Sequence, residues 1–141
     1  MKINKKCKKT DSTTITHHLS QRLVFNFSFL TKDNKYNLDK NNKKISKEIK
    51  AKLLEKMYQL SVEDKVIVLG YDKVKGLEKI HETKIKSLKP HPDYRDYKIK
   101  EKCGEDCWIF RIGKKGRVIG KMNDNIFYII KIDTDFKSYK H

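Results

Sequence analysis

Three short apolar segments near the end of the chain constrain its fold more than any other feature. They span residues 108–112, 118–122 and 126–132, and two turn-forming separators, Gly-Lys-Lys-Gly and Asn-Asp-Asn, lie between them. The segments are rich in β-branched and aromatic residues and are too short for independent helices. The sequence therefore predicts a three-stranded antiparallel meander.

Alternation along these strands sorts their side chains into two faces. Trp108, Phe110 and Ile112 share one face of the first strand, and Arg111 lies on the other. Arg111 and Arg117 flank the first predicted hairpin. The pattern does not decide which of the two faces is buried.

Two further elements are predicted upstream of the meander. Residues 23–30 alternate phenylalanine with polar residues, which is typical of a half-buried strand. Residues 47–60 have helical spacing of apolar residues and a suitable N-cap in Ser46. The apolar stripe of this helix, which we expect to pack on the sheet, consists of Ile45, Ile49, Leu53, Leu54, Met57 and Leu60.

The pattern is weaker between this helix and the meander. The Ser-x-x-acid start at Ser61 and a stop at Gly70 favour a short second helix, although residues 66–69 also fit a buried strand. Residues 76–80 fit a short strand or a turn, and two prolines, at positions 90 and 92, disfavour regular structure around them. The element order predicts an α+β fold, with the N-terminal strand and the meander forming a small antiparallel sheet and one or two helices on one of its faces.

The charge balance indicates a polyanionic partner. Lysine and arginine number 34 against 18 acidic residues, which gives a net charge of +16 and a pI near 9.7. Nucleic acid or the ribosome is the first expectation, and a lysine-rich composition imposed by the source genome is the alternative. The length of 141 residues predicts one domain, residues 21–141, after a disordered basic tail of residues 1–20.

Basic residues interleaved with aromatic rings suit a surface for phosphates and bases, because lysine neutralises the backbone while rings stack on unpaired bases. His91, Tyr94 and Tyr97 are the rings in such a stretch, and an ordinary charged loop is an equally good interpretation. The candidate nucleic-acid-binding residues are Lys84, Lys86, Lys89, Arg95, Lys98, Lys100, Lys114 and Lys115.

The cysteines predict no disulfide framework and no metal site. Cys103, Cys107 and an upstream His91 resemble half of a zinc site, but a second pair of ligands is missing, so reduced thiols are the preferred interpretation. We expect no cofactor. The basic start continues into a polar segment where a signal peptide needs an apolar one, and no apolar run reaches spanning length, which predicts a cytoplasmic protein without membrane contact.

The run FRIGKKGRVIGKMNDNIFYIIKID resembles the C-terminal meander of the RelE/ParE superfamily of bacterial toxins. The matching positions are Arg111, Gly113, residues 117–119, the strand 126–132 and the terminal Tyr139 and His141. The resemblance implies a toxin of a toxin–antitoxin system that cleaves mRNA on the ribosome without a metal ion and is held by a cognate antitoxin. In the ParE branch it implies a non-catalytic toxin that binds a protein target.

Metal-independent RNA cleavage requires positive charge at the phosphate and groups that move protons. Arg117 and Arg111 are the candidates for the charge, since guanidinium groups match phosphate oxygens. His141 is the candidate for proton transfer, and Tyr139 for stacking on or orienting a base. Where the family often has an arginine, this chain has Asp133-Thr134-Asp135, two carboxylates that would repel a phosphate. The sequence is also compatible with a basic nucleic-acid-binding module or with a small structural protein.

Overall fold

A computed structural model describes residues 21–140 of the chain. The predicted basic tail, residues 1–20, and His141 lie outside the described residues. Five strands and four helices are present in the described part. The strands are β1 (Val24–Asn26), β2 (Glu78–His81), β3 (Asp106–Ile112), β4 (Gly116–Asn123) and β5 (Ile126–Asp133). The helices are α1 (Lys47–Ser61), α2 (Lys65–Gly70), α3 (Asp93–Asp96) and α4 (Ile99–Cys103), and a 3₁₀ helix spans Glu82–Lys84.

The strands form one sheet in the order β1-β5-β4-β3-β2, and the fold is α+β as predicted. The meander of β3, β4 and β5 is antiparallel, and β2 extends it by pairing antiparallel with β3. The prediction of a purely antiparallel sheet is wrong, because β1 runs parallel to β5, with Val24 opposite Ile126. The chain between them makes the long connection that parallel neighbours need, and it carries every other element of the fold.

The N-terminal strand is shorter than the alternation of phenylalanines predicted. The side chain of Asn26 accepts a hydrogen bond from the Ser28 N–H at 2.7 Å, and this local turn ends β1 after three residues. The three rings therefore do not share one face. Phe25 packs in the core on the helix side of the sheet, Phe27 is exposed, and Phe29 is buried in a cluster with Tyr128.

Helix α1 begins where the sequence predicted, because the Ser46 hydroxyl accepts a hydrogen bond from the Ile49 N–H at 3.2 Å. Its stripe packs on the sheet except for Leu54, which is 69% exposed. The short second helix is also present, but its N-cap is Asp64, whose carboxylate accepts from the Val66 N–H at 2.9 Å. Ser61, the predicted start, is the last residue of α1.

The segment around the two prolines is more regular than predicted. Pro92 directly precedes α3, a position where its fixed φ and missing N–H cost little. Lys98 has a left-handed backbone conformation, and α4 begins directly after it. This segment folds back over the sheet. Its residues Ile85 and Leu88 pack on Ile109 and Ile119, on the face opposite to the helix α1.

Both faces of the sheet are consequently buried. The helix face carries Phe110, Val118 and Phe127 under α1 and α2, where α2 contributes the fully buried Val68. The other face, called the second face below, carries Arg111, Arg117, Ile119, Lys121 and Lys131, and it is covered by residues 80–104 and 134–140.

A β-bulge in β5 shifts the alternation by one residue. Ile119 pairs with Lys131 while Gly120 pairs with Ile129, so Ile130 is the extra residue. Beyond the bulge, Lys131 lies on the second face and Ile132 returns to the core of the helix face. Gly120 lies beside the bulge, where a Cβ would overlap the ring of Phe127 on β5.

The packing of α1 on the sheet predicts a contrast between two adjacent leucines. Leu53 is 4% exposed and belongs to the core, and Leu54 points to solvent. We expect Leu53→Ala to lower the free energy of unfolding by about 2–5 kcal/mol, the range for a buried leucine, and Leu54→Ala to change it by less than about 0.5 kcal/mol. Urea unfolding of both variants measures this difference, and equal effects would contradict the packing.

Candidate nucleic-acid interface

The second face of the sheet holds an unusual concentration of buried positive charge. Arg117 is 4% exposed, Lys131 is 1% exposed and Lys121 is fully buried. Arg111 is half-buried directly opposite Arg117 on the neighbouring strand. Burial of an unpaired cation costs several kcal/mol or more, so each such side chain requires carboxylates, carbonyl oxygens or aromatic rings around it.

Arg117 lies in the most densely packed part of this layer. Its guanidinium carbon is 4.6 Å from the centre of the Tyr139 ring and 4.8 Å from that of Phe136, two cation–π contacts. Asp133 is its cross-strand neighbour on β5. Three of the four residues predicted to carry the chemistry, Arg111, Arg117 and Tyr139, are thus brought together, and the fourth, His141, lies outside the described residues.

Tyr139 is anchored at its polar end as well as at its ring. Its hydroxyl donates a hydrogen bond to Glu78 Oε1 at 3.1 Å, and the residue is almost completely buried. Burial, with the negative charge of Glu78 as a second cause, raises the pKa of Tyr139 to about 12. Tyr139 is therefore a neutral phenol at physiological pH.

Asp133 is buried, and its carboxylate fixes the backbone of the residues that follow β5. Its carboxylate accepts three backbone hydrogen bonds, from Asp135 at 3.0 Å, Phe136 at 3.1 Å and Ser138 at 3.1 Å. The second carboxylate of this segment, Asp135, forms an ion pair with Lys44 at 2.9 Å. The two acidic residues that follow the last strand are thus occupied within the fold, and Asp133 holds residues 134–139 over the second face.

The buried ammonium groups of Lys121 and Lys131 have different hydrogen-bond partners. Lys121 Nζ donates to Glu82 Oε2 at 2.6 Å and to the Gly104 carbonyl oxygen at 3.0 Å. Lys131 Nζ donates to the Lys86 carbonyl oxygen at 3.2 Å and lies 3.8 Å from the centre of the Tyr36 ring. Burial lowers the pKa of Lys131, and the negative charge of Asp133 acts in the opposite direction.

A cleft beside Lys131, which we call the lysine cleft, has a volume of about 440 Å³. Four of its lining residues are lysines: Lys86, Lys131, Lys137 and Lys140. Tyr36 adds an aromatic wall, and no acidic side chain is among the described residues that line the cleft. Lys86, Lys137 and Lys140 are exposed, whereas Lys131 is almost completely buried.

A second cleft lies over the ion pair between Lys121 and Glu82, and we call it the Glu82 cleft. Its volume is about 410 Å³, and its walls include Ile85, Leu88 and the two prolines. Arg95 and Lys100, both predicted to bind nucleic acid, line it with exposed side chains.

The other predicted basic residues are exposed at separate places. Lys84, Lys89 and Lys98 lie on the segment that covers the second face, and Lys114 and Lys115 occupy the turn between β3 and β4. Lys86 is the one member of the predicted set that lines the lysine cleft. Of the rings predicted to stack on bases, Tyr97 is 66% exposed, but Tyr94 is buried against Phe29 and is not available for stacking.

Sequence reasoning missed three of the four lysines of the lysine cleft, Lys131, Lys137 and Lys140, and its aromatic wall, Tyr36. One signal was present, because Lys131 interrupts an otherwise apolar strand, and a charged residue within such a strand needs a specific partner. Lys137 and Lys140 follow that strand in a segment that looks like a loose end. Tertiary contacts hold the segment over the sheet, among them the three hydrogen bonds to Asp133 and the hydrogen bond from Tyr139 to Glu78.

The cysteines have no metal-binding arrangement among residues 21–140, where no group of three potential ligands comes together. Cys103 and Cys107 are free thiols. Burial raises the pKa of Cys107 to about 11, and that of Cys103 is raised for the same reason. Both groups are therefore protonated and poorly reactive at neutral pH.

The role of Asp133 predicts a contrast with its neighbour Asp135. Asp133→Asn removes a buried charge that accepts three backbone hydrogen bonds, so we expect the free energy of unfolding to fall by about 2–4 kcal/mol. Asp135→Asn removes only a partly exposed ion pair and is expected to cost less than about 1 kcal/mol. Chemical unfolding of the two variants measures the difference, and similar values would contradict the anchoring role.

No family model, no curated protein and no solved structure matches this chain. Within residues 21–140, no helix has the length and apolar character required to cross a membrane.

Proposed function

We propose that this protein binds single-stranded RNA through the lysine cleft. The observation that carries the proposal is the convergence of three exposed lysines, Lys86, Lys137 and Lys140, on one concave surface that lacks acidic side chains among its described lining residues. In a chain of net charge +16, this is the place where a phosphate backbone gains several favourable contacts together.

The shape and the aromatic wall of the cleft favour a single strand over a duplex. A volume of about 440 Å³ accommodates a nucleotide, whereas a duplex requires a broad and continuous basic surface. Tyr36 is half-exposed at this cleft and offers a ring for stacking, and Ser138 adds a polar wall. Messenger RNA and exposed single strands of ribosomal RNA are the partners that fit this chemistry.

Replacement of two exposed lysines tests the proposal without disturbing the core. We expect Lys137→Ala combined with Lys140→Ala to weaken binding of a fluorescent single-stranded RNA about tenfold or more at low salt. The slope of log affinity against log salt should fall by about 1.4, because each phosphate contact contributes about 0.7 for a single strand. Fluorescence anisotropy across a salt series measures both quantities.

The matched control is Lys47→Ala combined with Lys50→Ala on α1, which removes the same charge from the opposite side of the sheet. The affinity of this control variant for RNA should fall much less than that of the Lys137→Ala/Lys140→Ala variant. Equal losses in the two double variants would mean that the total charge binds RNA and that the lysine cleft does not. Absence of binding at any salt concentration would overturn the proposal.

A second candidate function is a metal-independent endoribonuclease toxin with a cognate antitoxin, as the resemblance to RelE-like toxins implies. The observation that favours it is the contact of Arg117 with Tyr139, because Tyr139 is also a wall of the lysine cleft. Arg117 is covered by Phe136 and Tyr139, so a phosphate reaches it only if residues 134–140 move. No particular contact favours a ParE-like toxin that binds a protein target, which stays a prediction.

Expression of the chain without a partner tests this second candidate. If it is correct, growth stops and transcripts are cut, and Arg117→Lys reduces the cutting about a hundredfold or more, because an ammonium group cannot replace the two-pronged guanidinium at a developing charge. Unchanged melting of the purified variant separates this effect from misfolding. Growth arrest with intact transcripts would refute the nuclease and leave RNA binding untouched. Cutting that persists in a folded Arg117→Lys variant would refute the role of Arg117.

A further inference from the structure

The Glu82 cleft combines three features that together define a ligand class. Glu82 is the only acidic residue among the described residues that line it, Ile85 and Leu88 give it apolar walls, and Arg95 and Lys100 supply positive charge. A volume of about 410 Å³ falls in the range of small-molecule sites and suits a planar ring with an attached anionic group.

The carboxylate of Glu82 is held in a fixed position but is still accessible. Its Oε2 accepts from Lys121 Nζ at 2.6 Å, and Lys121 is fixed in turn by the Gly104 carbonyl oxygen. The Glu82 side chain is 27% exposed whereas that of Lys121 is 1% exposed, so a ligand can reach the carboxylate and not the ammonium group. A carboxylate has about four acceptor positions, and Lys121 uses one of them.

An accessible carboxylate between apolar walls selects a ring that presents hydrogen-bond donors along one edge. Guanine presents its N1–H and its 2-amino group side by side on the Watson–Crick edge, which matches the two oxygens of a carboxylate. Adenine, cytosine and uracil each present a single donor group there, next to acceptors that a carboxylate repels. Arg95 and Lys100 are in place to contact the phosphate of the same nucleotide.

We propose that the Glu82 cleft is a guanine-nucleotide site, in which Glu82 accepts from N1–H and the 2-amino group and Arg95 and Lys100 bind the phosphate. The guanine belongs either to single-stranded RNA or to a free nucleotide, and the chemistry of recognition is the same. In the first case the site rests on the proposed RNA binding and gives it a base preference. In the second case the guanine site is independent of the proposed RNA binding.

Inosine provides the direct test, because it differs from guanosine only in lacking the 2-amino group. We expect a uridine-rich RNA that contains one guanosine to bind about tenfold or more tightly than the same RNA with inosine, the loss for one hydrogen bond to a charged acceptor. GMP, IMP and AMP, measured by calorimetry, form the second arm. Discrimination among the mononucleotides without RNA binding would assign the site to a free nucleotide.

Variants separate base recognition from phosphate binding. Glu82→Gln should abolish the preference for guanosine over inosine, and Glu82→Asp should restore part of it. Because Glu82→Gln leaves Lys121 without a charged partner and so can lower stability, a second variant is needed. Arg95→Ala combined with Lys100→Ala alters exposed residues only and should weaken both ligands about equally, which preserves their ratio.

The failure of this inference is distinguishable from failure of the proposed function. Equal binding of guanosine and inosine RNA by the wild-type chain, together with a loss of affinity in the Lys137→Ala/Lys140→Ala variant, would overturn the guanine site and retain RNA binding. A guanosine preference that survives in a folded Glu82→Gln variant would also overturn it.

Discussion

The structure depends on the compensation of positive charge beneath the second face of the sheet. Three cations, Arg117, Lys121 and Lys131, are nearly or completely removed from solvent in a protein that already carries a large positive excess. A buried cation without partners would destabilise the fold by several kcal/mol. Two carboxylates, Glu82 and Asp133, therefore position the segments that cover this face, and the surface open to ligands is determined by where those segments lie.

The two faces of the sheet differ in the kind of contacts they bury. The helix face is an apolar core of the usual kind, with α1 and α2 packed over Phe110, Val118 and Phe127. The second face is a layer in which apolar contacts alternate with charged groups, and both clefts open there. Because the charges are paired across segments distant in sequence, this layer has a definite geometry although it contains little regular structure.

Local patterns predicted the elements whose determinants are close together in sequence. Helix α1 follows from its stripe and from Ser46, and the meander follows from two turn sequences that fix the register, including the direct pairing of Arg111 with Arg117. The parallel pairing of β1 and the strand β2 depend on partners far along the chain, for which local patterns contain no register signal. The burial of Arg117 was unpredictable for the same reason, because it is covered by residues 134–140, whose sequence has no pattern of regular structure.

The bulge at Ile130 determines both which residues of β5 enter the core and which face the proposed RNA-binding surface. In a strand of strict alternation, Lys131 and Asp133 would enter the apolar core, and Ile132 would point to the lysine cleft. Because Ile130 is accommodated as a bulge, Lys131 pairs with Ile119 and that outcome is reversed for the whole end of β5. Regular pairing of Ile130 with Ile119 would exchange the inside and the outside of the strand end at once, so the core and the cleft depend on the same local backbone conformation.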